Sequence, residues 1–292
     1  MPLVKKEEWW EETRNFKKTV KEEYLDINET LAELENNSSV IRLELNTIEL
    51  PLFSKDPKRI KNQIKIYHFK TDKSSYLEIE APANYSIPGE FEERVFIALT
   101  KIMKNNNYSR SFVVSANEIL ETLGLSNKAY YKRIREALTL LSKTNYTFLN
   151  SLYSNKESGI IEKKIMSNIM NITIISKKDS RAKEIEAFED GRIKEVYEIN
   201  FTDYFYENII RKGYLAFDSG KLLAIENSVS RAIYTIVEKW RGYDLYIKRQ
   251  AFFIARRIPL KWDKTQIKRT IDTMEKALIE LKNLNLIKDY KI

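Results

Sequence analysis

The sequence predicts an α+β protein of two tandem winged-helix domains, each a helix-turn-helix plus a β-hairpin, with an N-terminal amphipathic helix in front. Three observations predict it. Stretches with apolar residues at helical spacing interleave with strand-like runs; between residues 91 and 175 they follow the order helix, strand, helix, turn, helix, strand, turn, strand; and three more helical stretches, rich in positive charge, follow Gly213. The 292 residues suffice for one large or two ordinary domains, and a hydrophobic share of 43% supplies a core. The expected divisions are an acidic helical extension over 1–45, a first winged-helix domain over 46–212 and a second over 213–292.

Taken in order, Trp9, Phe16, Val20, Tyr24, Ile27, Leu31 and Leu34 share one face of a helix from about Lys5 to Glu35, which the Asn36–Ser39 stretch stops. Val40–Leu45 alternates as a strand, and Ile64–Phe69 and Tyr76–Ala81 form a hairpin around the polar turn Lys70–Ser75. Phe91–Asn107 is a helix with Val95, Leu99 and Ile102 inward. A short strand follows at Ser111–Ser115, and Ser115 and Glu118 make the capping-box start of a helix over Asn117–Leu123. Gly124 turns the chain into a longer helix from Ser126-Asn127 through Lys143. Tyr146–Tyr153 and Ile160–Ile175, around the turn Ser154–Gly159, then read as the wing of the first unit. Lys177–Gly191 reads as a surface loop, Val196–Phe201 as a strand and Asp203–Arg211 as a short helix. The second unit has helices at Ser228–Arg241, Lys248–Arg257 and Lys264–Leu284, with Ile267, Ile271, Met274, Leu278 and Leu281 inward on the last. Leu286–Ile292 looks like the first strand of a wing that does not return.

Composition narrows the chemistry. Cysteine is absent, which removes disulfide scaffolds, thiol nucleophiles and Cys-based zinc sites. One histidine, His68, argues against His-rich metal clusters and a Ser-His-Asp triad, and also against a His-paired tyrosine nickase. Gly220-Lys221 is followed by Leu222 and does not make a phosphate-binding loop. Carboxylate pairs such as Glu92-Glu93 read as solvated helix starts. No catalytic residue, metal or cofactor is therefore expected. The longest apolar runs, such as Phe96–Leu99, fall far short of the ~20 residues of a membrane span, and the charged Met1–Trp10 has no secretory core, so a cytoplasmic protein without a membrane partner is expected.

The charge is uneven. The formal net charge is +8, but residues 1–45 carry −4, residues 46–212 carry +5 and residues 213–292 carry +7. The last segment is the stronger candidate for binding a polyanion. In the first unit Lys128, Tyr131, Lys132 and Arg135 fall on one helical face, opposite Ile134, Leu138 and Leu141. Cations for phosphates, an arginine for a guanine edge and an aromatic for packing suit a major-groove reader. In the second unit Lys261, Lys264, Thr265, Gln266, Lys268 and Arg269 cluster at the front of the third helix, where recognition helices make base contacts. Lys248, Arg249, Arg256 and Arg257 on the preceding helix are expected to hold the backbone, and Trp262 reads as a core or staple residue.

Leu50-Pro51-Leu52-Phe53-Ser54, the helix-turn-helix with Ser126-Asn127-Lys128, and Ser230-Arg231-Ala232-Ile233-Tyr234 together resemble the replication initiator protein A family of plasmids, from about Glu49 to the C-terminus. The resemblance implies an initiator that binds repeats in double-stranded origin DNA through tandem winged helices, the first of which often also makes a homodimer. It implies the host replicative helicase, its loader and the host initiator as partners, and no enzymatic activity. The acidic N-terminal helix and the half wing at the end depart from that pattern. A transcriptional regulator or autorepressor of the same fold is the runner-up, and a nicking or primase-like replication enzyme is the alternative of a different class.

Overall fold

Residues 39–260, 262 and 265–292 are described by a computed structural model. The expected helix over Lys5–Glu35 lies outside the described residues, as do Lys261 and Lys264. The elements are β1 (Val40–Glu44), α1 (Leu45–Glu49), β2 (Ile64–His68), β3 (Tyr76–Glu80), α2 (Glu90–Asn105), β4 (Ser111–Val114), α3 (Ala116–Thr122), α4 (Tyr130–Lys143) and β5 (Asn145–Leu149). The chain continues through β6 (Tyr153–Ser154), β7 (Gly159–Ile160), β8 (Lys164–Ser167), β9 (Met170–Ser176), β10 (Glu195–Phe201), α5 (Asp203–Ile210), β11 (Tyr214–Asp218) and α6 (Ser219–Ala224). Helices α7 (Ser228–Arg241), α8 (Ala251–Arg257) and α9 (Ile267–Asn283) complete a mixed α+β fold.

Helix α2 is the axis of the larger core. Phe91, Val95, Phe96, Ile97, Ala98, Leu99, Ile102 and Met103 are all buried, so the helix is enclosed on more than the single face its spacing predicts. Its amino end is closed by the Gly89 amide, which donates to Glu92 at 2.6 Å. Glu92 and Glu93 are not solvated helix starts. Glu92 pairs with Arg59 at 2.7 Å, and Glu93 pairs with Lys55 at 2.6 Å and with Arg231 of α7 at 2.8 Å. The basic stretch after Pro51 therefore lies against α2, with Leu52 and Phe53 buried beside it.

The sheet pairing corrects the expected wing. Tyr146–Leu149 does not return to the strand that follows α2. Instead β5 joins β3 and β8 in an antiparallel sheet ordered β2-β3-β5-β8. The run Ile160–Ile175 is three pieces, β7, β8 and β9, because the chain turns at Asn168. Its side-chain amide donates to the Ser142 carbonyl and to Asn171 Oδ1, both at 2.9 Å, and this redirects the chain from one sheet to another. The strands that close on β4 are β9 and β10, in the order β4-β10-β9. The segment expected as a loop, Lys177–Gly191, is thus the tip of the β9–β10 hairpin. It holds two short 3-10 turns under which Ala182 and Phe188 pack with Ile175 and Val196.

Between β4 and β9, α3 starts where expected: the Ser115 hydroxyl accepts from the Glu118 amide at 3.2 Å. Gly124 turns the chain at φ +69°, a conformation glycine adopts without strain. Helix α4 begins at Tyr130 rather than at Ser126-Asn127, since Asn127 folds its carboxamide back to accept from the Ala129 amide at 2.9 Å and spends those residues on a turn.

The chain then crosses both expected divisions. Strand β11 pairs antiparallel with β1, Val40 opposite Asp218 and Glu44 opposite Tyr214, and Ile41, Leu43, Phe217 and Leu222 all lie in the larger core. Gly213 is small for a packing reason: a Cβ there would lie 2.8 Å from the Asn208 side chain. Asn208 is needed in place. It and Asn46 each donate to Glu44 Oε1 at 2.6 Å and to the Tyr153 carbonyl at 2.9 Å, while Glu44 also caps α1.

Helices α7, α8 and α9 enclose the smaller core of Val229, Ile233, Ala255, Ile258, Met274, Ala277 and Leu281. Helix α7 runs between an Asn227 cap and Gly242 at φ +54°. Helix α8 starts at Ala251, three residues later than expected. On α9 the buried face is Thr270, Met274, Ala277 and Leu281, and Ile267 is 37% exposed, a rotation from the predicted stripe that follows from packing on α7. Leu286–Ile292 forms no strand; Leu286 and Ile287 instead pack against the smaller core.

The buried polar groups make the stability of the fold testable. Replacing Glu93 by Ala leaves Lys55 and Arg231 buried without their carboxylate and lowers the unfolding free energy by about 3–5 kcal/mol in urea titrations, whereas replacing Lys55, Glu93 and Arg231 together by Met, Leu and Met recovers most of it. Burial pushes the Glu44 carboxyl up to about 7, against the opposing hydrogen bonds from Asn46, Asn208 and Thr47. The unfolded chain releases that proton at lower pH, so the group stabilises the fold below its ordinary 4.5 and loses about 3 kcal/mol as pH rises to about 7. In Glu44→Gln this segment of the pH–stability curve should flatten, as read by chemical denaturation at closely spaced pH values.

Candidate nucleic-acid interface

The first cationic face is carried by α4 and the turn before it. Lys128 stands exposed in that turn, and Lys132 and Arg135 are exposed on the helix, opposite buried Ile134, Leu138 and Leu141. Tyr131 is half-buried and serves the fold, since its hydroxyl donates to Asn117 Oδ1 at 2.8 Å and ties α4 to α3. Arg135 Nη2 lies 3.5 Å from Glu195 on β10, whose carboxylate also accepts from the Tyr197 hydroxyl at 2.6 Å. Arg133, which helical spacing does not single out, lies 4.1 Å above the Phe91 ring, which stacks on Tyr130 at 6.0 Å. Nothing in the local sequence of α4 signals this contact, because Phe91 comes from another helix.

The C-terminal cations divide into two groups. Lys268 and Arg269 are exposed in the first turn of α9, with Thr265 exposed and Gln266 half-buried just ahead. Lys261 and Lys264 fall outside the described residues. Lys248 and Arg249 are exposed but precede α8 instead of lying on it, with the Arg249 guanidinium 5.9 Å from the Trp240 ring. Arg256 and Arg257 end α8 and face the rest of the chain. Arg256 donates to the His68 carbonyl at 3.2 Å, and Arg257 donates to the Glu49 carbonyl at 3.5 Å while standing 5.5 Å from the Phe69 ring. Trp262 meets Phe252 edge-on at 5.8 Å and packs against the smaller core, as a staple residue does.

Among the described residues, no three His, Cys, Asp or Glu side chains converge as metal ligands, and no helix is long and apolar enough to cross a membrane. The arrangement can attract and hold a polyanion through exposed cations on two helices.

The fold has counterparts among solved structures. The chain is similar to a selenomethionine crystal structure of domains 2 and 3 of RctB, with a TM-score of 0.55, 13% identity, and 82% of this chain and 84% of that one covered. A second crystal structure of RctB domains 2-3 matches with a TM-score of 0.50 at 13% identity, covering 79% of this chain and 81% of that one. At this identity the likeness is one of fold. No curated protein matches the chain. A sequence model of the family Replication initiator protein A matches residues 42–249, and the chain belongs to that family. The matched region holds all three stretches that carry the resemblance, but it ends at Arg249, so α8 and α9 lie beyond it rather than within a likeness reaching the C-terminus.

Proposed function

We propose that this replication initiator acts in the cytoplasm by binding repeats in double-stranded origin DNA through two winged-helix units and recruiting the host helicase and initiator, without cutting or joining DNA itself. The observation that carries the reading is the order α2-β4-α3-α4-β9-β10 with the sheet β4-β10-β9, which is the connectivity of a helix-turn-helix with a hairpin wing. In it α4 is the reading helix, presenting Lys132 and Arg135 with Lys128 in the turn ahead of it, and the hairpin tip carries exposed Lys177, Lys178 and Arg192 towards the flanking backbone. The second unit is carried by α7–α9, with Lys268 and Arg269 at the front of α9 as its phosphate contacts. Its working boundary falls between α6 and α7, since β11 is committed to β1. Of residues 1–45, those in β1 belong to this body, and the extension ahead of them is assigned no DNA-reading role.

Incubating supercoiled origin plasmid with the protein and magnesium should give bound, uncut DNA; nicking would overturn the reading. Replacing Lys268 and Arg269 by Ala should weaken binding to an origin repeat and reduce the slope of log affinity against log salt by about two, since each phosphate contact contributes roughly 0.9. An unchanged slope in a filter-binding titration would place these residues off the DNA.

Self-association is assigned to strand β2. It is the edge of its sheet, and Ile64 and Ile66 on it are 57% and 49% exposed. Two such edges pair antiparallel across a two-fold axis, which joins identical surfaces and closes. Sedimentation should show a dimer that Ile66→Glu converts to monomer; a monomeric parent chain, or a dimer indifferent to the substitution, rejects the assignment.

A further inference from the structure

A cleft of about 440 Å³ lies where the β2–β3 hairpin meets α7 and α8. Three arginines line it, Arg249, Arg256 and Arg257, together with three large aromatic side chains, Phe69, Trp240 and Phe253, and no carboxylate stands among its lining residues. With three guanidinium groups and no carboxylate in its lining, the cleft is positively charged and attracts anions. The arginines are also oriented. Arg249 stands 5.9 Å from the Trp240 ring, Arg256 stands 5.4 Å from Phe252 and Arg257 stands 5.5 Å from Phe69, and backbone carbonyls at His68 and Glu49 take further donors from the last two. Such planar forks, held in place, suit the bidentate recognition of a phosphate.

Charge alone does not account for the lining. Phe253 is 51% exposed, an aromatic surface left in water beside the arginines. An inorganic anion gains nothing from that ring, and an uncharged apolar ligand gains nothing from three guanidinium groups. The volume falls in the range of small-molecule sites and accommodates one base with its sugar and phosphate. We propose that the cleft binds a nucleotide, its base stacked on the aromatic side chains and its phosphate held by the arginines. The same chemistry is offered by a free nucleoside phosphate and by one residue of single-stranded DNA, and stacking of this kind is indifferent to sequence. Because the cleft is walled by both halves of the molecule, an occupant bridges the hairpin and α8.

The site is independent of the duplex-reading helices, and its test keeps the two apart. The full-length protein is titrated with a mant-labelled ATP and, separately, with a fluorescein-labelled oligothymidine, each alongside Phe253→Ala and Arg249→Ala. Both residues are exposed, so an unchanged thermal transition certifies that the variants fold. At least one probe should bind, and each variant should weaken it about tenfold, the loss expected for one stacked ring or one phosphate contact. Duplex origin repeats should bind Phe253→Ala as they bind the parent chain. Tight binding of the ATP probe assigns a free nucleotide, and binding of the oligothymidine alone assigns a single strand. If neither probe binds, if the variants bind like the parent chain, or if polyglutamate displaces the probe as well as ATP does, the assignment fails.

Discussion

Arg231 lies in the first half of α7 and is 1% exposed, yet its guanidinium reaches across the molecule to Glu93 on α2 at 2.8 Å. Lys55 reaches the same carboxylate from the other side at 2.6 Å, leaving two buried cations for one anion. The excess positive charge is absorbed by main-chain carbonyls: Arg231 also donates to Leu222 at 3.2 Å and to Ile225 at 2.6 Å, the residues that lead into α7. A buried ion pair is weak as a source of net stability but demanding in geometry, because any arrangement that separates the partners leaves a charge without water. Only one seating of α7 on α2 satisfies all of these bonds. Since α9 packs on α7 and α4 packs on α2, the same contact sets the distance and angle between the two cationic helix faces.

The two most deeply engaged carboxylates respond to pH in opposite senses. Burial pushes Glu93 up, but Lys55 and Arg231 outweigh it and hold the group below the ordinary carboxylate range. Its contribution is therefore present above the unfolded value and is lost as pH falls. Glu44 has hydrogen-bond donors but no cation, burial wins, and its contribution is lost as pH rises. The joint between α2 and α7 is accordingly the acid-sensitive part of the molecule, and the knot of β1, α1, α5 and Tyr153 is the part that weakens toward neutral pH.

Much of what depends on neighbours along the chain is legible in the sequence, the Asn127 turn that delays α4 being an exception. The Ser115 cap, the Gly124 turn, the stripe of Ile134, Leu138 and Leu141, and the Gly242 stop are local rules, and the structure follows them. The position of the wing is not legible, because pairing is not local. Periodicity finds a strand at Tyr146 but cannot say that it joins β3 instead of β4, and nothing in an apolar run marks Asn168 as the corner between two sheets. Glu92 and Glu93 fit the rule for acidic helix starts, and their partners lie 33 to 138 residues away. The rotation of α9 and the absence of a strand at Leu286–Ile292 likewise depend on what the helix packs against.

The same limit applies to charge. The excess of +7 over residues 213–292 is a count, and a count does not distinguish cations that face solvent from cations that hold the fold. Arg231, Lys239 and Arg241 are paired with Glu93, Glu49 and Glu238, and Arg256 and Arg257 are bonded to carbonyls of the first half of the chain. Among the described residues singled out for DNA, removing these from the count leaves Lys268 and Arg269 on α9 and Lys248 and Arg249 in the connector as the exposed C-terminal charge. Arg256 and Arg257 acquire a different meaning. Held at the joint beside Phe69, Trp240 and Phe253, they project positive charge into a cleft and not along a helix face. A flat duplex backbone cannot enter such a concave site, whereas a single base with its phosphate can, so shape separates what net charge had merged.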